Sequence, residues 1–121
     1  MPVMEMSTYR APLFFGNNHL QTVFPTLFRK VRDVKYTRRR IDTPDGDFID
    51  IDCSFTGSDR VVILSHGLEG KSDRAYMKGM IRVFNRRGWD GVSFNFRGCS
   101  GEPNRKPVTY HSGKTEDLQC V

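Results

Sequence analysis

No stretch of this chain approaches the ~20 consecutive apolar residues that a membrane-spanning helix requires. The N-terminal MPVMEMSTYR has no apolar core, so no secretory leader is expected. Cysteine is scarce and odd in number: Cys53, Cys99 and Cys120 are widely spaced and form no C-x-x-C. That excludes a zinc knuckle or a disulfide framework, and no metal or other cofactor is expected. Free thiols point to a reducing compartment, and a cytoplasmic location is the expectation. Charge of one sign is never concentrated. Nineteen Lys and Arg against fourteen Asp and Glu give +5, and acidic residues lie between the clusters Arg38-Arg39-Arg40, Arg86-Arg87 and Arg105-Lys106. Aromatics are not interleaved with these basic residues, so nucleic acid is not an expected partner. There is no repeat and no low-complexity tract, and 37% of the 121 residues are hydrophobic, which suits one small globular unit.

What is present reads as α/β. Residues 1–33 form an N-terminal arm: APLFFGNNHLQTVFPTLFRKVR carries large apolar groups broken by Gly16 and Pro25, and short helical turns packed on the rest are expected. Residues 34–121 carry the sheet and helices. Residues 34–42 read as a strand, and Pro44-Asp45-Gly46 supplies turn chemistry for a hairpin. DFIDIDCSF alternates, with Ile49, Ile51, Cys53 and Phe55 on one side and Asp50, Asp52 and Ser54 on the other. This predicts an antiparallel outer strand with one polar face. VVIL (61–64) is apolar throughout, as in a strand covered on both faces. From Asp73 to Arg87 a helix is predicted, with Met77, Met80, Ile81 and Phe84 as its buried stripe, Ser72 or Asp73 as its cap and Gly88 just past its end. Trp89 to Phe96 is a second buried strand, completing a right-handed βαβ unit. SGKTEDLQCV opens a last helix, capped by Ser112 or Thr115.

The chemistry turns on SHGLEGKS, residues 65–72. A phosphate-binding loop, G-x-x-x-x-G-K-[ST], matches at Gly70-Lys71-Ser72, but Ser65 replaces the first glycine. GVSFNF also lacks the terminal Asp that would hold a magnesium ion. The other reading starts from His66-Gly67 directly after a buried strand. There Gly67 presents no Cβ to an approaching carbonyl, and the backbone N–H of Leu68 points at a developing oxyanion. His66 braces such a loop.

GNNHLQTVFP, SHGLEGKSDRAYMKGM, FNRRGWDGVSFNFRGCSGEPNR and YHSGKTEDL occur in this order. Together they resemble the YheT-like serine esterases (AB hydrolase family four), a branch of the α/β-hydrolase superfamily. The resemblance runs from about Leu13 to Val121. It implies hydrolysis of carboxylic esters, with small-molecule or lipid esters as substrates. It assigns Leu68, with His66 and Gly67, to the oxyanion hole, and Arg97-Gly98-Cys99-Ser100-Gly101 to the loop beside the active site. It also implies that His19 to Thr22 pack over the sheet.

None of the catalytic triad is recognisable. No complete G-x-S-x-G occurs. Ser72 lies beyond the strand and reads as a cap, Ser93 lies within a strand, and Ser100 is followed by Glu102-Pro103, where an elbow helix cannot begin. His19 and His111 have no nucleophile to serve, and Cys99 lacks a recognisable thiolate setting. The expectation is therefore the N-terminal half of an α/β-hydrolase fold, an antiparallel hairpin followed by βαβ, truncated before the nucleophile strand. Such a chain alone is expected to be inactive and marginally stable, with VVILS as an open, self-associating edge. The rival readings are a P-loop-like nucleotide-binding domain and a non-catalytic interaction module on a hydrolase half-fold.

Overall fold

The computed structural model describes residues 8–111 and 113–121. The chain divides into two compact units, one ending at Lys30 and the other spanning Val31–Val121. In the first, α1 (Asn18–Phe28) starts where the Asn17 side chain accepts the His19 N–H at 2.8 Å, an N-cap bond. The rings of Phe15, Phe24 and Phe28 meet in sequence along it, with centroids 5.1 and 4.7 Å apart.

The second unit holds β1 (Thr37–Asp42), β2 (Phe48–Ser54), β3 (Val61–Ser65), α2 (Ala75–Asn85), β4 (Asp90–Asn95) and a short 3-10 turn at Leu118–Cys120. The sheet order is β1-β2-β4-β3. β1 and β4 flank β2 antiparallel, while β3 and β4 run parallel across α2, as the βαβ expectation requires. Gly46, at φ 81°, closes the expected hairpin turn through its N–H to Thr43 O.

β2 is not the outer strand the alternation suggested. It lies inside the sheet, and all seven of its residues are buried. Ile49, Ile51 and Cys53 form one apolar layer with Val92 and Phe94. The polar face is buried as well, because the facing strand supplies guanidinium forks in register. Arg38 lies opposite Asp52 and Arg40 opposite Asp50, each pair joined by two bonds of 2.8–2.9 Å. Asp52 also accepts from the Ser72 hydroxyl and, at 3.0 Å, from Asn95.

That last bond corrects the expected helix start. Ser72 does not cap α2: its hydroxyl is turned inward, and Arg74 takes the N-cap position without a side-chain bond. The helix is shorter than Asp73 to Arg87. Of its predicted stripe, Met77 and Ile81 are buried, Phe84 is half-buried, and Met80 lies 47% exposed. Ile81 sits directly on Gly91, where an added Cβ would come 2.5 Å from Ile81 Cδ1. Gly88, at φ 73°, follows the helix as expected.

β3 lies at the sheet's edge, as expected, but it is not covered on both faces: Val61 and Ile63, on one face, are about half exposed. Among the described residues of the final segment there is no α-helix, only the Leu118–Cys120 turn. Ser112, one expected cap, lies outside the described residues, and Asp117 is buried against Arg97 instead of facing a helix dipole.

The buried carboxylates couple this unit to pH. Burial works to raise the Asp52 pKa, but Arg38, Ser72 and Asn95 outweigh it and hold the group below its usual range. At Asp50, burial is likewise outweighed, chiefly by Arg40. As pH falls through about 4, the unfolded chain binds protons that the folded one refuses. Stability present above that pH is therefore lost below it. Urea midpoints measured from pH 7 to pH 3 should drop below about pH 4. An unchanged or rising midpoint there contradicts the assignment.

Candidate functional site

The loop from His66 to Ser72 leaves the C-terminal end of β3 and leads to α2. One of its backbone N–H groups bonds within the loop, and three others are held by side chains from outside it. Gly70 N–H returns to Gly67 O at 2.9 Å, closing a four-residue turn. Glu69, third in that turn, has φ 52°, the sign a type II turn imposes and a non-glycine residue resists. Gly70 is needed for close approach: a Cβ there would lie 2.9 Å from Gly67 O and 3.0 Å from His66 Cβ.

His66 is buried and commits both ring nitrogens. Nε2 accepts the Phe96 N–H at 3.2 Å, so Nδ1 carries the proton and donates to Gly67 O at 2.8 Å. With both nitrogens so engaged, the ring has none left for a base. Its ring stands edge-on to Phe96, with centroids 5.1 Å apart.

The brace sets a direction. Gly67 O is held by both His66 and Gly70. The peptide is planar and trans, so the Leu68 N–H on the same unit points the opposite way. The neighbouring donors are taken: Gly67 N–H by the Tyr76 hydroxyl at 3.2 Å, Glu69 N–H by the Tyr110 hydroxyl at 2.5 Å, and Ser72 N–H by Asn95 at 2.9 Å. Among the described residues, the amides of Leu68 and Lys71 have no protein partner, and the Leu68 residue is 84% exposed. The structure thus places Leu68, Gly67 and His66 on one loop, with Leu68 outward and His66 inward.

Against this loop lies a cleft of about 500 Å³, bounded by Glu69, Lys71, Arg74, Gly98, Cys99 and Tyr110. Its far wall is held by Arg97, whose guanidinium is buried among Asp45, Asp47 and Asp117 at 2.6–3.2 Å. Asn104 pins the same loop, accepting Gly98 N–H at 2.6 Å and donating to Phe48 O at 2.6 Å.

The other candidates have structural partners. Ser93 shares a 2.9 Å bond with the Tyr36 hydroxyl, and the Ser100 carbonyl accepts from Arg38. His111 Nδ1 accepts the Gly113 N–H at 3.1 Å. The Ser72 hydroxyl, which a nucleotide loop would offer to a cation, is buried on Asp52, and Lys71 Nζ lies 3.2 Å from Asp73. Sequence reasoning missed Tyr76 and Tyr110. Tyr110 reaches Glu69 across 41 positions from a loop without periodic pattern, so no local signal marked it.

No protein-family model matches the chain. Over 110 residues it is 48% identical to the protein named "Putative esterase YheT" of Escherichia coli (strain K12), covering 85% of this chain and 32% of that protein. It is 34% identical to the "Embryogenesis-associated protein EMB8" of Picea glauca, over 91% of this chain and 27% of the relative. It is 32% identical to human "Phospholipase ABHD3", over 94% of this chain and 30% of the relative. Among solved structures, the Pyrococcus furiosus esterase Pf2001 superposes with a TM-score of 0.58 at 25% identity, over 72% of this chain and 34% of that one. The chain therefore spans about a third of the length of the relatives it matches.

Proposed function

Because the chain belongs to the α/β-hydrolase family and matches the N-terminal portion of its relatives, we propose that it supplies the oxyanion-binding segment of a carboxylic-ester hydrolase. The observation that carries this reading is the outward, unpartnered N–H of Leu68 on a loop whose neighbouring groups are tied down. A tetrahedral intermediate formed at an ester carbonyl puts negative charge on oxygen. A preorganised amide 2.7–3.1 Å from that oxygen stabilises the transition state without reorganising. Gly67 faces open space where a Cβ would stand, which leaves room for the acyl group. No G-x-S-x-G occurs in these 121 residues. On this reading the Ser-His-Asp groups belong to sequence that the longer relatives have and these residues do not.

Esters of small molecules or lipids are the substrate class, in keeping with relatives named as an esterase and a phospholipase. Three unpaired cysteines favour a cytoplasmic setting, and no helix among the described residues is long and apolar enough to cross a membrane. The outward-facing Val61 and Ile63 on the open edge of β3 make that strand the surface for self-association.

The test is a chimera in which these residues replace the matching third of the 48%-identical Escherichia coli relative. It should hydrolyse p-nitrophenyl acetate or octanoate above background and show no affinity for ATP. A folded chimera that is inactive where its parent turns over, or that binds ATP through Lys71, overturns the proposal.

A further inference from the structure

We propose that Tyr110 is the positioning residue of this site: its hydroxyl, by holding the Glu69 N–H, keeps the Leu68–Glu69 peptide in the one orientation compatible with an oxyanion. The inference rests on the ester-hydrolase reading for its functional part and on the geometry alone for its structural part.

The turn Gly67–Gly70 has its Gly67 O to Gly70 N–H closure at 2.9 Å, and Glu69 is its one non-glycine residue with positive φ. A turn of this kind converts to type I by rotation of its central peptide, here the unit between Leu68 and Glu69. Rotation would carry Glu69 to the negative φ that a residue with a side chain prefers. The loop's own backbone thus favours the flip, and something must oppose it. The opposing contact is the 2.5 Å bond from Glu69 N–H to Tyr110 Oη.

Tyr110 is itself held in place. Its ring stacks on Phe96 with centroids 4.7 Å apart and planes within 11°. Phe96 in turn donates its N–H to His66, which binds Gly67 O. Both ends of the Leu68 residue are therefore referenced to Phe96, the first residue past β4: one through His66, the other through Tyr110. The Glu69 N–H works to lower the phenol's pKa, but desolvation and the nearby Cys99 thiol leave it raised, so Tyr110 keeps its proton at neutral pH.

The consequence for chemistry follows from the peptide plane. Tyr110 and Glu69 both line the cleft. A flip would replace the Glu69 N–H on that side with the Leu68 carbonyl oxygen. On the ester-hydrolase reading, a carbonyl dipole turned toward negative charge developing in the cleft is unfavourable.

Tyr110→Phe keeps the ring and removes only the hydroxyl. In the 121-residue chain, amide hydrogen exchange at Glu69 should become at least about fivefold faster, with the buried Phe94 amide unchanged as the folding control. In the esterase chimera, Tyr110→Phe should lower kcat by about fivefold or more with KM nearly constant. Adding Glu69→Gly to Tyr110→Phe should recover much of kcat, because glycine accepts the positive φ without a clamp. A merely structural tyrosine would give no such rescue. Equal Glu69 exchange in wild type and Tyr110→Phe overturns the proposal, as does faster exchange with unchanged kcat. A wild-type chimera without turnover counts against the ester reading alone, and the exchange at Glu69 still decides whether Tyr110 holds the loop.

Discussion

Arg97→Met should destabilise the Val31–Val121 unit by about 3–5 kcal/mol, seen as a large fall in the urea midpoint. Whole domains of this size are stable by only ~5–15 kcal/mol, so much of the folded population is at stake. The size of the effect comes from what is left behind. The Arg97 side chain is 4% exposed, and it neutralises Asp45, Asp47 and Asp117. Asp45 is 40% exposed and can rehydrate. Asp47, fully buried, keeps bonds from Asn104 and from the Arg105 N–H at 3.0 and 2.9 Å. Asp117 has no such reserve: both its carboxylate oxygens rest on Arg97, at 2.9 and 2.6 Å, and it is 2% exposed. An unpaired charge there must either take up a proton or pull the segment around the Leu118–Cys120 turn into water.

Removing both partners of the pair is the control. Replacing a whole buried ion pair with apolar groups of similar volume is often neutral or favourable, whereas removing one partner is not. Arg97→Met with Asp117→Leu should therefore recover a large part of the loss. Arg97→Lys should recover only a little, since one ammonium cannot reproduce the fork that meets three carboxylates. A Met variant within about 1 kcal/mol of wild type, well short of a broken buried pair, would mean that this cluster does not hold the cleft wall.

That cluster also marks the limit of what the sequence discloses. The hairpin, the βαβ unit and the position of Gly88 were legible because each depends on local pattern: alternation, an amphipathic stripe and a residue that tolerates positive φ. The burial of β2 was not. Alternation separates Ile49, Ile51 and Cys53 from Asp50 and Asp52, but it cannot tell a face covered by water from one covered by Arg38 and Arg40. A sign was present in the facing strand, where basic residues at alternate positions fall in register with the carboxylates across the Thr43–Asp47 turn. At the site, the loop after β3 was legible from His66-Gly67, because a glycine following an apolar strand constrains the backbone locally. Ser72 misled for a related reason: a serine just before a helix has the composition of a cap, and only the tertiary approach of Asp52 draws it inward. Tyr76 and Tyr110 act through single hydroxyls brought to the loop from nine and 41 positions away. Neither spacing belongs to any periodic element.

Leu68→Pro in the esterase chimera should lower kcat by about 10²–10³-fold, with KM little changed, since it deletes a donor that meets charge only in the transition state. Proline is the informative replacement because the proposed contribution belongs to the backbone and not to the side chain. Leu68 is the second residue of the Gly67–Gly70 turn, a position that proline favours, and the exposed side chain it replaces fills no core. The surrounding bonds need not change: Gly67 O remains on His66 and Gly70, and Glu69 N–H remains on Tyr110. Leu68→Ala, which keeps the N–H, measures whatever the side chain itself adds. The amide's share is the factor by which proline exceeds alanine. If proline and alanine cost the same, the outward N–H is not an oxyanion donor, and the loop from His66 to Ser72 is only the turn that joins β3 to α2.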